Sequence, residues 1–169
     1  VIVYAAAWAW ALQTWCAGVF SSATRERLTY PGMSALLAIV WLVASLVSFG
    51  TSALLIDGPL DALVPPTLPL LAGFAAQLLI GTMSYLMPTT IGGGPAATQA
   101  GLAELNRAGL FRVAAFNLAM LGWLFAPSSL ARIVCSLIAC GCLVAFIPLM
   151  ARAVRAQRRV ITAKSGAGV

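Results

Sequence analysis

Apolar residues in this chain come in long unbroken runs. Five stand out, over residues 1–20, 33–56, 68–91, 110–126 and 130–151. Crossing the hydrocarbon of a bilayer takes about 20 apolar residues at about 1.5 Å rise each. The fourth run is short by that measure, although residues 105–109 could lengthen it. None of the runs alternates with a period of two, as barrel strands do. Lipid leaves exposed backbone groups without partners, so a spanning segment that is not part of a barrel must be a helix. The pattern predicts an all-α integral membrane bundle with about five transmembrane helices.

The connections between the runs differ in charge. The first holds Arg25 and Arg27, the second Asp57 and Asp61 with no Lys or Arg, and the third Arg107, with Arg112 just beyond. The fourth is only residues 127–129. Residues 152–169, read as a basic cytoplasmic tail or loop, hold Arg152, Arg155, Arg158, Arg159 and Lys164. Basic residues thus alternate with their absence, loop by loop. The positive-inside rule then places the N-terminal end outside and the C-terminal tail in the cytoplasm of a multi-pass cell-membrane protein. Arg132 is the one misfit, and it can snorkel outward.

The third run is interrupted in an unusual way. In GTMSYLMPTTIGGGPAAT, residues 81–98, it turns polar at Ser84 and Tyr85, meets Pro88 and ends in Gly92, Gly93, Gly94 and Pro95. A phosphate loop would need a lysine after the glycines, and a dinucleotide loop a preceding strand. Neither is present. Pro69 suits a first helical turn, Pro88 suits a kink near the end, and the glycines permit an exit. Gly73, Gln77, Gly81, Ser84 and Pro88 fall on one helical face. Such a stripe of small and polar residues lets helices approach closely; the sharper alternative is a proton or substrate path through Gln77 and Ser84.

Composition narrows the chemistry. The chain is 62% hydrophobic and 8% charged, with no histidine and four acidic residues, Glu26, Asp57, Asp61 and Glu104. Haem, type 1 copper and most zinc sites lose their usual ligand. Paired carboxylates inside the membrane are absent. Cys135, Cys140 and Cys142 share one run and Cys16 lies in another, with no C-x-x-C pair. With Met83 and Met87 they could hold copper(I), but in an apolar helix they read first as packing residues. Asn117 reads as a helix-bridging amide. No catalytic, cofactor-binding or metal-binding residue is assigned. The net charge of +6 comes mostly from the tail, which fits anionic lipid better than nucleic acid because no aromatic platform accompanies it. The chain starts at Val1, inside an apolar run without a basic leader, so it reads as cut from something longer and not as a secretory signal.

The block AAQLLIGTMSYLMPTTIGGGPAAT, followed by AELNRAGLFRVAAFNLAMLGWLF, resembles the membrane region of actinobacterial multicopper oxidases of the copper nitrite reductase type. The resemblance covers roughly residues 70–155. Its most specific elements are S-Y-L-x-P at Ser84–Pro88, the G-G-G-P junction, E-L-x-R at Glu104–Arg107 and R-V-x-x-x-N at Arg112–Asn117. It implies a helical membrane portion of a copper-dependent oxidoreductase, anchoring and contacting an electron donor. Copper would belong to a cupredoxin region of the same polypeptide outside this chain, since the histidines of type 1 and type 2 copper are missing here. A fragment of a small-molecule transporter or permease, with Gln77, Ser84 and Asn117 along its path, is the alternative; a structural membrane subunit is another. The bilayer is the expected partner, and a homo-oligomer is compatible with the pattern.

Replacing Arg155, Arg158 and Arg159 together by Ala is expected to weaken the orientation bias, read as mixed accessibility of a label placed at the tail. A tail that stays wholly cytoplasmic would remove charge asymmetry as the determinant of topology.

Overall fold

The computed structural model describes residues 2–21, 29–55, 58, 61 and 64–166. No strand occurs among them. The order is α1 (Ile2–Ser21), α2 (Tyr30–Leu55), α3 (Val64–Leu68), a π-helical segment (Pro69–Ala76), α4 (Gln77–Ile91), α5 (Pro95–Leu105), α6 (Gly109–Phe125), α7 (Ser129–Val144) and α8 (Phe146–Gly166). The architecture is all-α, as the apolar runs require. Four stretches are long and apolar enough to cross a membrane: Tyr30–Leu55, Pro66–Ile91, Pro95–Phe125 and Ser129–Ser165; Ile2–Ala11 is a shorter apolar helix. The first connection's Arg25, Glu26 and Arg27, together with Asp57 and the side chain of Cys16, lie outside the described residues.

Three details depart from the sequence reading. The third connection is not open chain, since α5 fills most of it. Residues 105–109 do not lengthen the fourth span as one helix, because Ala108 takes φ 51° and the chain turns before α6 begins. The segment read as a tail is helical through Gly166.

The chain divides into two compact units, one of residues 1–28 and 32–79 and the other of residues 29–31 and 80–169. In the first, α2 buries Ala38, Ile39, Trp41 and Leu42 among its apolar residues. Pro69 contributes no N–H, which removes an i→i−4 bond where α3 passes into the π-helical segment. Wider bonding takes over, and the N–H of Gln77 reaches Ala72 O, five residues back. Pro69, Gly73, Gln77, Gly81, Ser84 and Pro88 are all buried while the residues between them are more exposed. The stripe read from sequence is therefore the packed face. Gly73 lies against the Trp41 indole, and a Cβ there would stand 2.5 Å from Trp41 Cγ. One turn on, the Ser34 hydroxyl donates to the backbone carbonyl of Gln77 at 2.9 Å.

In the second unit the two long stretches are each broken once and run side by side. α6 packs on α7, and beyond the breaks α5 packs on α8. Ala108 marks the first break. At the second, Pro148 cannot bond the Val144 carbonyl and its ring crowds it. Bonds from Ala145 N to Gly141 O (2.9 Å) and from Leu149 N to Ala145 O (3.4 Å) carry the helix across.

No residue of α7 is buried, and Leu130, Ile133, Leu137 and Ile138 stand open on its surface. Soluble monomers rarely leave contiguous apolar area beyond a few hundred Å²; lipid accounts for such a helix.

Gly73→Ala is expected to destabilise the bundle by about 1–3 kcal/mol through overpacking on Trp41, measured as a lowered thermal midpoint in detergent. Gly141→Ala is the control. A Cβ there meets nothing within 4 Å, so that variant should be neutral or slightly stabilised.

Candidate functional site

The polar side chains inside the helices sort by what they bond. Ser84 Oγ donates to Ile80 O at 2.8 Å, and Asn117 Nδ2 donates to Val113 O at 2.7 Å. Both bonds turn back onto the residue's own helix. Gln77 differs. Its carboxamide is 3% exposed, and neither Nε2 nor Oε1 has a hydrogen-bond partner among the described residues.

The three described cysteines form no disulfide and no metal cluster. Cys135, Cys140 and Cys142 are free thiols, and Cys135 Sγ packs where a Cβ on Gly122 would stand 2.9 Å away. Among the described residues no group of three or more His, Cys, Asp or Glu could hold a metal ion. Type 1 and type 2 copper ask for imidazole, which this chain lacks.

The densest polar construction lies where α4, α5 and α8 meet. Gly92, Gly93 and Gly94 take φ 74°, 91° and 89°, a left-handed run that only glycine adopts without strain. It turns the chain out of α4 and into α5, whose N1 residue is Pro95. Carbonyls at a helix C-terminus have no partner of their own. Gln157, from α8, supplies one. Its Nε2 donates to Pro88 O at 2.8 Å and to Gly92 O at 2.7 Å. Gln157 is fully buried, and its Oε1 faces Gly101 of α5, where a Cβ would stand 2.9 Å from that oxygen and 3.0 Å from Pro88 Cβ. A Cα–H of Gly101 thus points at an oxygen that has no stronger donor. Gly93 is tighter still, since a Cβ there would lie 2.5 Å from Ile161 Cγ1.

A second cluster ties the turn between α5 and α6 to the start of α2. The Tyr30 N–H donates to Asn106 Oδ1 at 2.6 Å, which caps the first amide of α2 from that turn. The Arg112 guanidinium sits 3.9 Å above the Tyr30 ring, and its Nη2 donates to Leu105 O, at the C-terminal end of α5, at 3.4 Å. A cation favours that end of a helix dipole. Arg112 is 7% exposed.

α8 presents two unlike faces. Ala153 and Gln157 are buried, with Val160 and Ile161 partly so, while Arg155, Arg158, Arg159 and Thr162 are exposed. Those four and Ala163 line an open groove of about 500 Å³. Arg152, at the edge, pairs with Glu104 of α5 through Nε–Oε2 at 3.3 Å.

Gln157 and Asn106 carry no weight in the sequence reading, and Arg112 enters it only as a topology charge and a motif residue. Gln157 was findable: Leu149, Ala153, Gln157 and Ile161 recur every four residues amid arginines, which marks a packing face.

Gln157→Leu keeps the volume and removes both side-chain bonds. A loss of about 1–3 kcal/mol is expected, with faster amide exchange confined to residues 93–98 and α8. Unchanged exchange there would mean the glutamine holds nothing in place.

Comparison with known proteins finds no match among protein-family models, curated proteins or solved structures.

Proposed function

We propose that this chain is the membrane-embedded helical portion of a copper-dependent oxidoreductase of the multicopper oxidase and nitrite reductase type. Its own work is anchoring and contact with an electron donor; the copper sits in a cupredoxin region of the same polypeptide outside these residues. The observation that carries the membrane part is the set of four apolar helices of spanning length, the last of which has no buried residue along α7. The resemblance over residues 84–117 is the support for the copper enzyme. In this reading the N-terminal end faces out, the α5–α8 pair faces the cytoplasm, and no residue of the chain performs electron transfer.

Gln77 favours a second reading. A buried carboxamide without a partner, directly after a π-helical segment, is a feature often met at functional sites. It suits a permease fragment in which a polar solute or water chain passes Gln77.

Two measurements separate the readings. The full-length product is expected to carry copper and to turn over nitrite, while the 169-residue chain stays in membranes after alkaline extraction and binds no copper stoichiometrically. Copper bound by the isolated chain, or a monomer soluble without detergent, would overturn the proposal. Gln77→Leu should leave the turnover of the full-length enzyme within about two-fold, because a side chain used only in packing stands outside the reaction. Normal yield with transport or turnover abolished would favour the path.

A further inference from the structure

We propose that the outward face of α8, formed by Arg155, Arg158 and Arg159 beside Thr162, is a docking surface for the phosphates of anionic lipids in the leaflet next to the α5–α8 pair. The inference rests on the membrane reading above.

Depth is the first argument. α7 has 16 residues and rises about 24 Å, so a hydrocarbon core of about 30 Å starting at Ser129 ends near Pro148. Counting back from Phe125, the same thickness reaches the turn at residues 106–108. The helix breaks therefore fall at one level, and beyond it α5 packs on α8. Arg152 lies about 6 Å beyond that level, in a headgroup layer about 5–8 Å deep. Arg155 lies at about 10 Å and Arg158 and Arg159 at about 15–17 Å, so they meet phosphate through long side chains that bend back toward the membrane.

Presentation is the second argument. Gln157 and Ile161 hold the opposite face of α8 against the α4 exit. Residues 155, 158, 159 and 162 follow the spacing of one helical face, so the three guanidiniums are fixed toward a single side. A loose basic tail would have no side.

Charge is the third. Among the described residues the only acid packed near this helix is Glu104, and it pairs with Arg152. Three like charges at helical spacing repel one another. An anion relieves that repulsion, and the planar guanidinium fork matches phosphate oxygens. Residues 152–166 contain no aromatic side chain on which a base could stack, which favours lipid over nucleic acid.

The test uses the reconstituted chain in nanodiscs of mixed phosphatidylcholine and phosphatidylglycerol, with retained lipids counted by native mass spectrometry. The wild type is expected to enrich phosphatidylglycerol. Each Arg→Gln change at 155, 158 or 159 should lower that enrichment about five-fold at low salt, and the triple variant should abolish it. Arg132→Gln, at the other end of α7, should leave it unchanged. Gln157→Leu, which alters no charge, should lower it because the face is no longer held. Circular dichroism confirms that each variant is folded, and the single Arg158→Gln variant stands in if the triple one is not. Enrichment that survives in the variants, or that falls equally with Arg132→Gln, would overturn the proposal. Displacement of the lipid by a short oligonucleotide at physiological salt would overturn it in favour of nucleic acid. A chain that fails to enter nanodiscs at all would instead refute the membrane reading.

Discussion

A helix in lipid must satisfy its backbone polar groups from within, and the helix ends described around residues 69–76, 88–95 and 105–112 answer that demand. Pro69, Pro88 and Pro148 each delete an amide donor, and the glycines at 92–94 end a helix outright. Several of the backbone groups around these places have a partner among the described residues. The deletion at Pro69 is absorbed by wider π-type bonding, with Gln77 N reaching Ala72 O. The ends of α4 and α5 are served by Gln157 on Pro88 O and Gly92 O, and by Arg112 on Leu105 O. Asn106 does the same for the first amide of α2. Three side chains from one compact unit thus do the capping that water does for a soluble helix.

The same demand explains what the sequence discloses. Long apolar runs have few physical solutions, so the all-α class follows from composition and length, and four of the five runs read as spans lie in helices of spanning length. The small-residue stripe from Gly73 to Pro88 was legible too, because a packed face keeps its period whatever the neighbour is. Lateral pairing was not. The α5 segment PAATQAGLAEL is too short and too polar to register as a span, and the arginines of α8 hide a packing face of Ala153 and Gln157 beneath a charge pattern that reads as solvated. Each becomes a helix worth forming only when the other covers it, and that mutual dependence is invisible in either alone. The bend at Ala108 was equally silent, since a left-handed alanine carries no sequence signal of the kind glycine gives.

Charge and capping also act on each other at the α5–α8 level. Arg152 engages Glu104 at a half-exposed site, where such a pair is worth about 0–1 kcal/mol. That is too little to set the orientation of α8. The buried carboxamide of Gln157, with two bonds to carbonyls of another helix, fixes it instead. The arginines are consequently passengers in the fold, free to answer to whatever faces them.

Gln77 stands outside that division. Ser84 and Asn117 bond back onto their own helices, and Gln157, Asn106 and Arg112 serve chain ends. Gln77 does neither, and its carboxamide is buried with no described partner. Burying an amide without hydrogen bonds costs about 1–3 kcal/mol on mutational scales. A scaffold selected for stability alone would do better with leucine at that position. If the bundle only anchors, replacing Gln77 by Leu should raise its thermal midpoint in detergent. A midpoint that falls would mean the amide has found a hydrogen-bonding partner in the membrane, and the anchoring role would then be an incomplete description of the chain.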